Sequence, residues 1–182
     1  MDRVLSRPRV ILCLALISLH LQPSESAPKK NVLFIIADDL RPQLPNYDCL
    51  QCSSMVTPNL RIFASSFATV SFANAFSNQA MCGPSRTSFL TGRRPDSTKL
   101  YDQSHHFWRT FPQAGNYTTI PQFFKENGYR VASFGKIFHP GKASGHTDDF
   151  PYSWTDEPFH PGSQKFKVVV SIRFTTVRND ES

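Results

Sequence analysis

The chain has 182 residues, of which 40% are hydrophobic, so it is long enough to form one domain with a core of its own. Its formal net charge of +6 suits an acidic ligand without requiring one. Lys and Arg do not alternate with aromatic residues in any run, so the sequence does not predict a nucleic-acid partner.

Residues 1–26 have the pattern of a secretory signal peptide. Arg3, Arg7 and Arg9 precede a short apolar run (VILCLALISLHL, 10–21), and small residues follow as a cleavage site. The alternative is an uncleaved membrane anchor, but the run is too short for a membrane span, so we expect no stable membrane insertion. A glycosylation sequon at Asn116 is consistent with a secretory route.

The cysteine count singles out one thiol. Cys13 lies in the signal peptide, which leaves three cysteines, an odd number for a secreted chain. Cys49 and Cys52 form a C-x-x-C pair that could be a local disulfide, two free thiols or part of a zinc site, although the sequence has no second ligand pair at zinc spacing. Cys82 is therefore expected to be unpaired or chemically special.

The apolar run NVLFIIA (31–37) predicts a β-strand. Its apolar character is continuous rather than alternating, which is typical of a strand buried on both faces of a parallel sheet. Asp38 and Asp39 follow directly, at the position where open α/β sheets bind their ligands. Their carboxylates are therefore candidate site residues.

A helix is predicted to begin at Thr57–Pro58, because Thr is a good N-cap and Pro is favoured in the first turn. Leu60, Phe63 and Phe67 recur at helical spacing and predict an apolar face.

Turn and cap residues predict the elements that follow. One helix starts near Pro84 and stops at Gly92, and another opens at Thr119 and stops at Gly128. YRVASF (129–134) reads as a strand, and from Gly141 onward Gly, Pro, Ser, Asp and His predict loop. The last segment, KFKVVVSIRFTTVRNDES (165–182), has strand-like content but no obvious partner strand nearby. The order of elements indicates an α/β fold with a mainly parallel sheet flanked by helices.

Positive charge surrounds Cys82 in the stretch MCGPSRTSFLTGRRPD (81–96). If the helix starts at or just before Pro84, Cys82 and Arg86 lie one turn apart and share a face. The positive end of the helix favours anions and makes a thiol more reactive. The alternative is a buried cysteine that packs as a small hydrophobic group.

The residues from Cys82 to Arg93 resemble the sulfatase signature, C-x-P-S-R-x4-T-G-R. The stretches FIIADDLRP, TPNLRIFA and FKENGYRVASFGKIFHP resemble further sulfatase elements in the same order. The resemblance covers about residues 31–165. It implies that 27–165 is the N-terminal part of a sulfatase catalytic domain and that 166–182 is a divergent tail.

The resemblance implies a nucleophile and a metal site. Cys82 would be converted by the formylglycine-generating enzyme to formylglycine, whose hydrated aldehyde attacks sulfur and later releases sulfate by elimination. Asp38 and Asp39, together with the modified Cys82, would be ligands of Ca²⁺, which prefers carboxylate oxygens.

The resemblance also implies roles for three cationic or titratable side chains. Arg86 would hold the hydrated aldehyde, and Lys136 and His139 would contact the diol or sulfate oxygens, with His139 a candidate for proton transfer. The stretches IPQFFKENGY and HTDDFPYSW resemble family members that act on sulfated glycosaminoglycans, which implies such a substrate and a lysosomal location.

The aromatic loop 101–108 is a candidate sugar site, and its adjacent histidines are not expected to bind metal.

The chain departs from the family in length, because sulfatases have several hundred residues. The family's later metal ligands and second active-site lysine have no counterpart in the sequence. We therefore expect as an alternative a non-catalytic truncated form, with residues 166–182 as an altered end. A third reading, another branch of the alkaline phosphatase superfamily, is disfavoured because that branch uses Ser or Thr where this chain has Cys82.

Overall fold

The computed structural model describes residues 29–41, 55–161 and 170–176. The predicted signal peptide and the Cys49/Cys52 pair lie outside these residues. The strands are β1 (Val32–Ile36), β2 (Tyr129–Phe134) and β3 (Val170–Thr176), and the helices are α1 (Pro58–Ala64), α2 (Cys82–Thr91), α3 (Pro95–Thr98) and α4 (Ile120–Glu126). Two 3₁₀ turns cover Trp108–Thr110 and Lys142–Ser144.

The three described strands form a sheet in the order β1-β3-β2, and both pairings are antiparallel. The prediction of a mainly parallel sheet is therefore wrong for these strands, because β3 lies between β1 and β2 and runs against both. β1 and β2 still point the same way: Ile36 pairs with Val170, and Phe134 pairs with Ser171. The carboxyl ends of β1 and β2 therefore lie at the same end of the sheet, on either side of β3.

β1 is partly buried on one face and exposed on the other, whereas its continuous apolar run predicted a strand buried on both faces. Val32, Phe34 and Ile36 pack against the core, whereas Leu33 and Ile35 are 62% and 55% exposed. Among the described residues, no element covers the second face of this strand. The apolar composition predicted the strand itself but not what lies on each side of it.

The main core lies between the sheet, α2 and the segments that follow β2. Its fully buried side chains are Leu90, Val131, Ile137, Phe138 and Trp154. Trp154 belongs to the region predicted as loop, and its ring packs edge-on against Phe138 with centroids 6.3 Å apart. The Gly- and Pro-rich composition after 141 therefore correctly indicates turns, but these turns fold back onto the core.

The cap residues identified in the sequence lie close to the observed ends of the helices. α2 begins at Cys82, two residues before Pro84, and ends at Gly92, whose φ of 65° is the left-handed conformation that favours glycine. α4 is capped by Thr119, whose hydroxyl accepts a hydrogen bond from the Gln122 amide. α1 begins after Thr57 as predicted, yet none of its residues is buried.

None of the helices in the described residues is long and apolar enough to cross a membrane.

Candidate active site

Three predicted site residues converge at the edge where β1 and β2 end. Asp38 lies two residues beyond β1, Lys136 lies two residues beyond β2, and Cys82 is the first residue of α2. Lys136 Nζ is 2.7 Å from Asp38 Oδ2 and 3.4 Å from Cys82 Sγ, and Cys82 Sγ is 3.9 Å from Asp38 Oδ1. The thiol therefore faces both a carboxylate and an ammonium group.

Arg86 supports this arrangement from inside the protein. It lies one turn after Cys82 on α2, and its side chain is 4% exposed. Its Nη2 donates to Asp38 Oδ1 at 2.7 Å, and its Nη1 donates to the carbonyls of Lys136 and Ile137. One guanidinium group thus connects the ends of both strands to the helix that carries the thiol.

Asp38 is held in its ionised form. Burial raises its pKa, but hydrogen bonds and positive charge from Lys136 and Arg86 more than offset this, so its pKa lies below the ordinary value. The carboxylate is thus available as an anionic ligand even in mildly acidic solution.

His139 lies near the same charges and is partly buried. Burial lowers its pKa, and the positive charges of Lys136 and Arg86 lower it further, whereas Asp38 raises it to a smaller extent. Its Nδ1 atom is buried and has no hydrogen-bond partner among the described residues. At neutral pH the imidazole is therefore neutral and able to accept a proton.

Asp39 completes a group that could hold a cation. One ligand atom from each of Asp38, Asp39 and Cys82 lies within 4.8 Å of the others. Asp39 is exposed and has a φ of 55°, so the turn after β1 places both neighbouring carboxylates on the side of the thiol. The two acids suit a hard cation such as Ca²⁺, whereas an unmodified thiol is a soft ligand that does not.

Asp148 is a buried carboxyl group near the site that the sequence analysis did not single out. It is 3% exposed; Ser144 donates to its Oδ1 at 3.1 Å, and His160 Nε2 lies 3.2 Å from its Oδ2. Burial raises its pKa, His160, Ser144 and Arg86 lower it to a smaller extent, and the charge of Asp149 makes the smallest contribution, which is upward. The neighbouring acids Asp148 and Asp149 in HTDDF were the sequence feature that could have pointed to this carboxyl group.

Arg109 and Asp149 form a second buried charge cluster that sequence reasoning missed. Arg109 donates from Nε and Nη2 to the two carboxylate oxygens of Asp149 at 2.6 and 2.7 Å. Ser153 donates to the same carboxylate, and the guanidinium lies over the rings of Trp108 and Tyr152. This cluster fixes the segment that carries Asp148.

The aromatic loop 101–108 is divided between core and surface. Trp108 is fully buried in a second small core, whereas Tyr101 is 48% exposed. His105 pairs with Asp102, and His106 stacks on Phe111, so the two histidines point to different partners. The only group of three or more metal-ligating side chains within the described residues is the one at Asp38, Asp39 and Cys82.

Comparisons with known proteins agree with the signature. A family model described as Sulfatase matches residues 30–156. Iduronate 2-sulfatase of Homo sapiens is 51% identical over 162 residues, which are 89% of this chain and 28% of the human protein. Iduronate 2-sulfatase of Mus musculus is 50% identical over 155 residues, 85% of this chain and 26% of the mouse protein. A sulfatase of Formosa agariphila (strain DSM 15362) is 32% identical over 133 residues, 70% of this chain and 25% of that protein.

The chain thus spans about a quarter of the length of these relatives. The match to the family model nevertheless covers well over half of the chain, and it includes the signature that begins at Cys82 as well as Asp38, Arg86 and Lys136. The resemblance predicted from the signature is confirmed, and this chain belongs to the sulfatase family.

Proposed function

We propose that this chain carries the nucleophile site of a sulfuric ester hydrolase with the specificity of an iduronate 2-sulfatase. The reaction would remove the 2-O-sulfate from terminal iduronate in heparan sulfate and dermatan sulfate. The observation that carries the proposal is the convergence of Cys82, Asp38, Arg86 and Lys136 at one sheet edge, with the thiol 3.4 Å from an ammonium group. The human and mouse relatives, at 51% and 50% identity, support the choice of substrate.

Each side chain has a role that follows from its position. Conversion of Cys82 to formylglycine would supply a hydrated aldehyde, whose hydroxyl group is an oxygen nucleophile. Lys136 lies within reach of that position and would stabilise negative charge on sulfate oxygens. Arg86 positions Asp38 and the backbone of Lys136, and neutral His139 is the candidate to accept or return a proton.

The donor set fits Ca²⁺ once Cys82 is modified. Asp38 and Asp39 offer carboxylate oxygens, and formylglycine would replace the soft sulfur atom with oxygen, which a hard cation prefers. When bound, Ca²⁺ would polarise the sulfate group. Arg86 and Lys136 already bind the Asp38 carboxylate, so they hold it in place for the cation.

The proposed partners follow from the same chemistry. The formylglycine-generating enzyme would act on Cys82, and the substrate would be a sulfated glycosaminoglycan. We propose a lysosomal location reached through the secretory pathway.

A second candidate function is a non-catalytic sulfatase-like chain. The observation that favours it is that the described residues provide two carboxylates at the metal site, whereas Ca²⁺ takes about six to eight oxygen ligands.

One experiment separates the two functions. The chain is expressed through a secretory route, residue 82 is identified by peptide mass spectrometry, and release of a fluorogenic group from an iduronate 2-sulfate ester is measured with and without a calcium chelator. Formylglycine and chelator-sensitive turnover that Cys82→Ala abolishes would support the hydrolase. Formylglycine without turnover would support the non-catalytic chain, and an unmodified cysteine would contradict the proposed chemistry.

A further inference from the structure

A cleft lies beside the loop that leads to Cys82, outside the candidate active site. Its volume is about 320 Å³, and it is lined by Asn78, Gln79, Arg94, Pro95, Asp96 and Tyr101. That volume is within the range of small-molecule sites in proteins, about 300–1,000 Å³. The reaction proposed above uses none of these side chains.

The cleft is built against the same helix end as the nucleophile. Gln79 precedes Cys82 by three residues, a distance of at most about 11 Å along the backbone, and its side-chain amide donates to the Tyr101 carbonyl at 2.7 Å. A Cβ atom at Gly83 would lie 3.0 Å from the Asp102 carbonyl, so the wall that carries Tyr101 packs directly on the first turn of α2. A molecule of two or more sugar rings is long enough to reach from Cys82 to the cleft.

The lining offers the groups that bind a saccharide. The ring of Tyr101 is 48% exposed, and an exposed aromatic face suits a pyranose ring. The side-chain amides of Asn78 and Gln79 donate to Ser88 and to the Tyr101 carbonyl, so their oxygens are left to accept bonds from hydroxyl groups. Asp96 accepts a bond from the Tyr101 hydroxyl at 3.0 Å and has further capacity to accept.

Arg94 gives the cleft a preference for ligands that carry a negatively charged group. Its side chain is exposed, and within the described part of the chain it makes no ion pair. A guanidinium group binds sulfate or carboxylate oxygens in a bidentate manner. Because the Asp96 carboxylate repels anions, an anionic substituent would lie on the Arg94 side and hydroxyl groups on the Asp96 side.

We propose that this cleft is a subsite for the sugar unit next to the one that loses its sulfate, and that Arg94 selects for a sulfate on that unit. The inference rests on the proposed function, because it takes the ligand to be part of a sulfated polysaccharide. Binding in the cleft, however, does not require the aldehyde at position 82.

The test measures binding of the full chain by isothermal titration calorimetry. The probes are a sulfated heparin disaccharide and the same disaccharide without sulfate. Arg94→Gln is expected to weaken binding of the sulfated probe about tenfold, because a charge-assisted bond is lost, and to leave the unsulfated probe nearly unchanged. Tyr101→Ala is expected to weaken both probes, and Tyr101→Phe, which keeps the ring, is expected to weaken them little.

Arg130→Gln is the matched control, because it removes the same charge from an exposed arginine on β2. Equal losses in Arg94→Gln and Arg130→Gln, or unchanged binding in Arg94→Gln, would overturn the subsite. Cys82→Ala tests the hydrolase and the subsite separately: it must abolish turnover if the proposed function holds, while disaccharide binding persists. Absence of turnover in the unaltered chain, together with Arg94-dependent binding, would contradict the hydrolase and retain the saccharide subsite.

Discussion

Arg86 is the residue on which the geometry of the candidate site depends most. Its buried guanidinium binds the Asp38 carboxylate and the carbonyls of Lys136 and Ile137, so it neutralises one charge and satisfies two backbone acceptors. A neutral side chain at this position would leave a largely buried carboxylate with Lys136 as its remaining cationic partner. Lysine would keep the charge but lacks the planar fork that reaches three acceptors.

We expect Arg86→Gln to reduce the free energy of unfolding by about 3 kcal/mol, the usual cost of removing one partner of a buried ion pair. Arg86→Lys should recover only part of this loss. Urea denaturation followed by tryptophan fluorescence measures both, since Trp108 and Trp154 are buried. The control Arg130→Gln breaks an exposed pair with Asp156, which solvent screens, and should cost far less than Arg86→Gln. Similar losses for Arg86→Gln and Arg130→Gln would contradict the structural role of Arg86.

Asp148 lies outside the group formed by Asp38, Asp39 and Cys82, and its carboxyl group is expected to make the stability of the protein depend on pH. Its pKa is raised by burial and by Asp149, so the folded protein favours the protonated form more than the unfolded chain does. The stabilising contribution is present in acid, below the ordinary pKa, and is lost as pH rises through the raised pKa. His160, whose Nε2 lies 3.2 Å from Asp148 Oδ2, opposes the upward shift of the Asp148 pKa only in part.

Asp148→Asn should therefore become more stable relative to the unaltered protein as pH increases from 4 to 8. Asparagine cannot ionise, and its carbonyl oxygen can still accept the bond from Ser144. Unfolding free energies of both proteins across this pH range provide the measurement. A difference between them that stays constant with pH would show that the carboxyl group does not titrate as the burial requires.

At the scale of single elements, the two threonine caps form a natural comparison. Thr119 begins α4 and is 1% exposed; its hydroxyl accepts from the Gln122 amide at 3.1 Å and lies 2.6 Å from the Ser153 hydroxyl. Thr57 begins α1, but its side chain makes no capping hydrogen bond. The same residue type at the same position thus has different energetic importance in the two helices.

We expect Thr119→Ala to cost about 1–2 kcal/mol of unfolding free energy, and Thr57→Ala to cost less than about 0.5 kcal/mol. The loss at Thr119 comes from one unsatisfied helical amide and from the broken contact with Ser153. Chemical denaturation of the two variants under identical conditions tests the contrast. Equal costs would mean that the hydroxyl at Thr119 is not acting as a cap.

Local signals predicted local features well. The strand at 129–134 and the stop of α2 at Gly92 follow from side-chain shape and backbone sterics, which are properties of the residues themselves. Sequence could not predict that β3 would separate β1 from β2, because strand order depends on contacts between distant segments. Asp148 was missed for the same reason, since its importance comes from burial rather than from a motif.

At the scale of the whole molecule, the described residues have a packed side and an apolar surface. The core side chains between the sheet, α2 and the segments that follow β2 are fully buried. In contrast, nine large apolar side chains between positions 55 and 76 are at least 45% exposed: Met55, Val56, Leu60, Ile62, Phe63, Phe67, Val70, Phe72 and Phe76. Of the predicted apolar face of α1, Leu60 and Phe63 lie on the helix but are exposed, and Phe67 lies beyond its last residue, Ala64. An exposed apolar surface of this kind favours association between molecules.

Phe67 and Phe76 are the most informative positions in this surface, because they are 105% and 87% exposed. The double substitution Phe67→Ser and Phe76→Ser should reduce self-association, measured as the concentration dependence of the mass in analytical ultracentrifugation. Its unfolding free energy should change by less than about 0.5 kcal/mol, since neither ring loses contacts within the monomer. Phe138→Ser is the contrasting control, because this ring is fully buried and its loss should cost about 3–5 kcal/mol. Self-association that is unchanged in the double variant would show that this surface does not drive contact between chains.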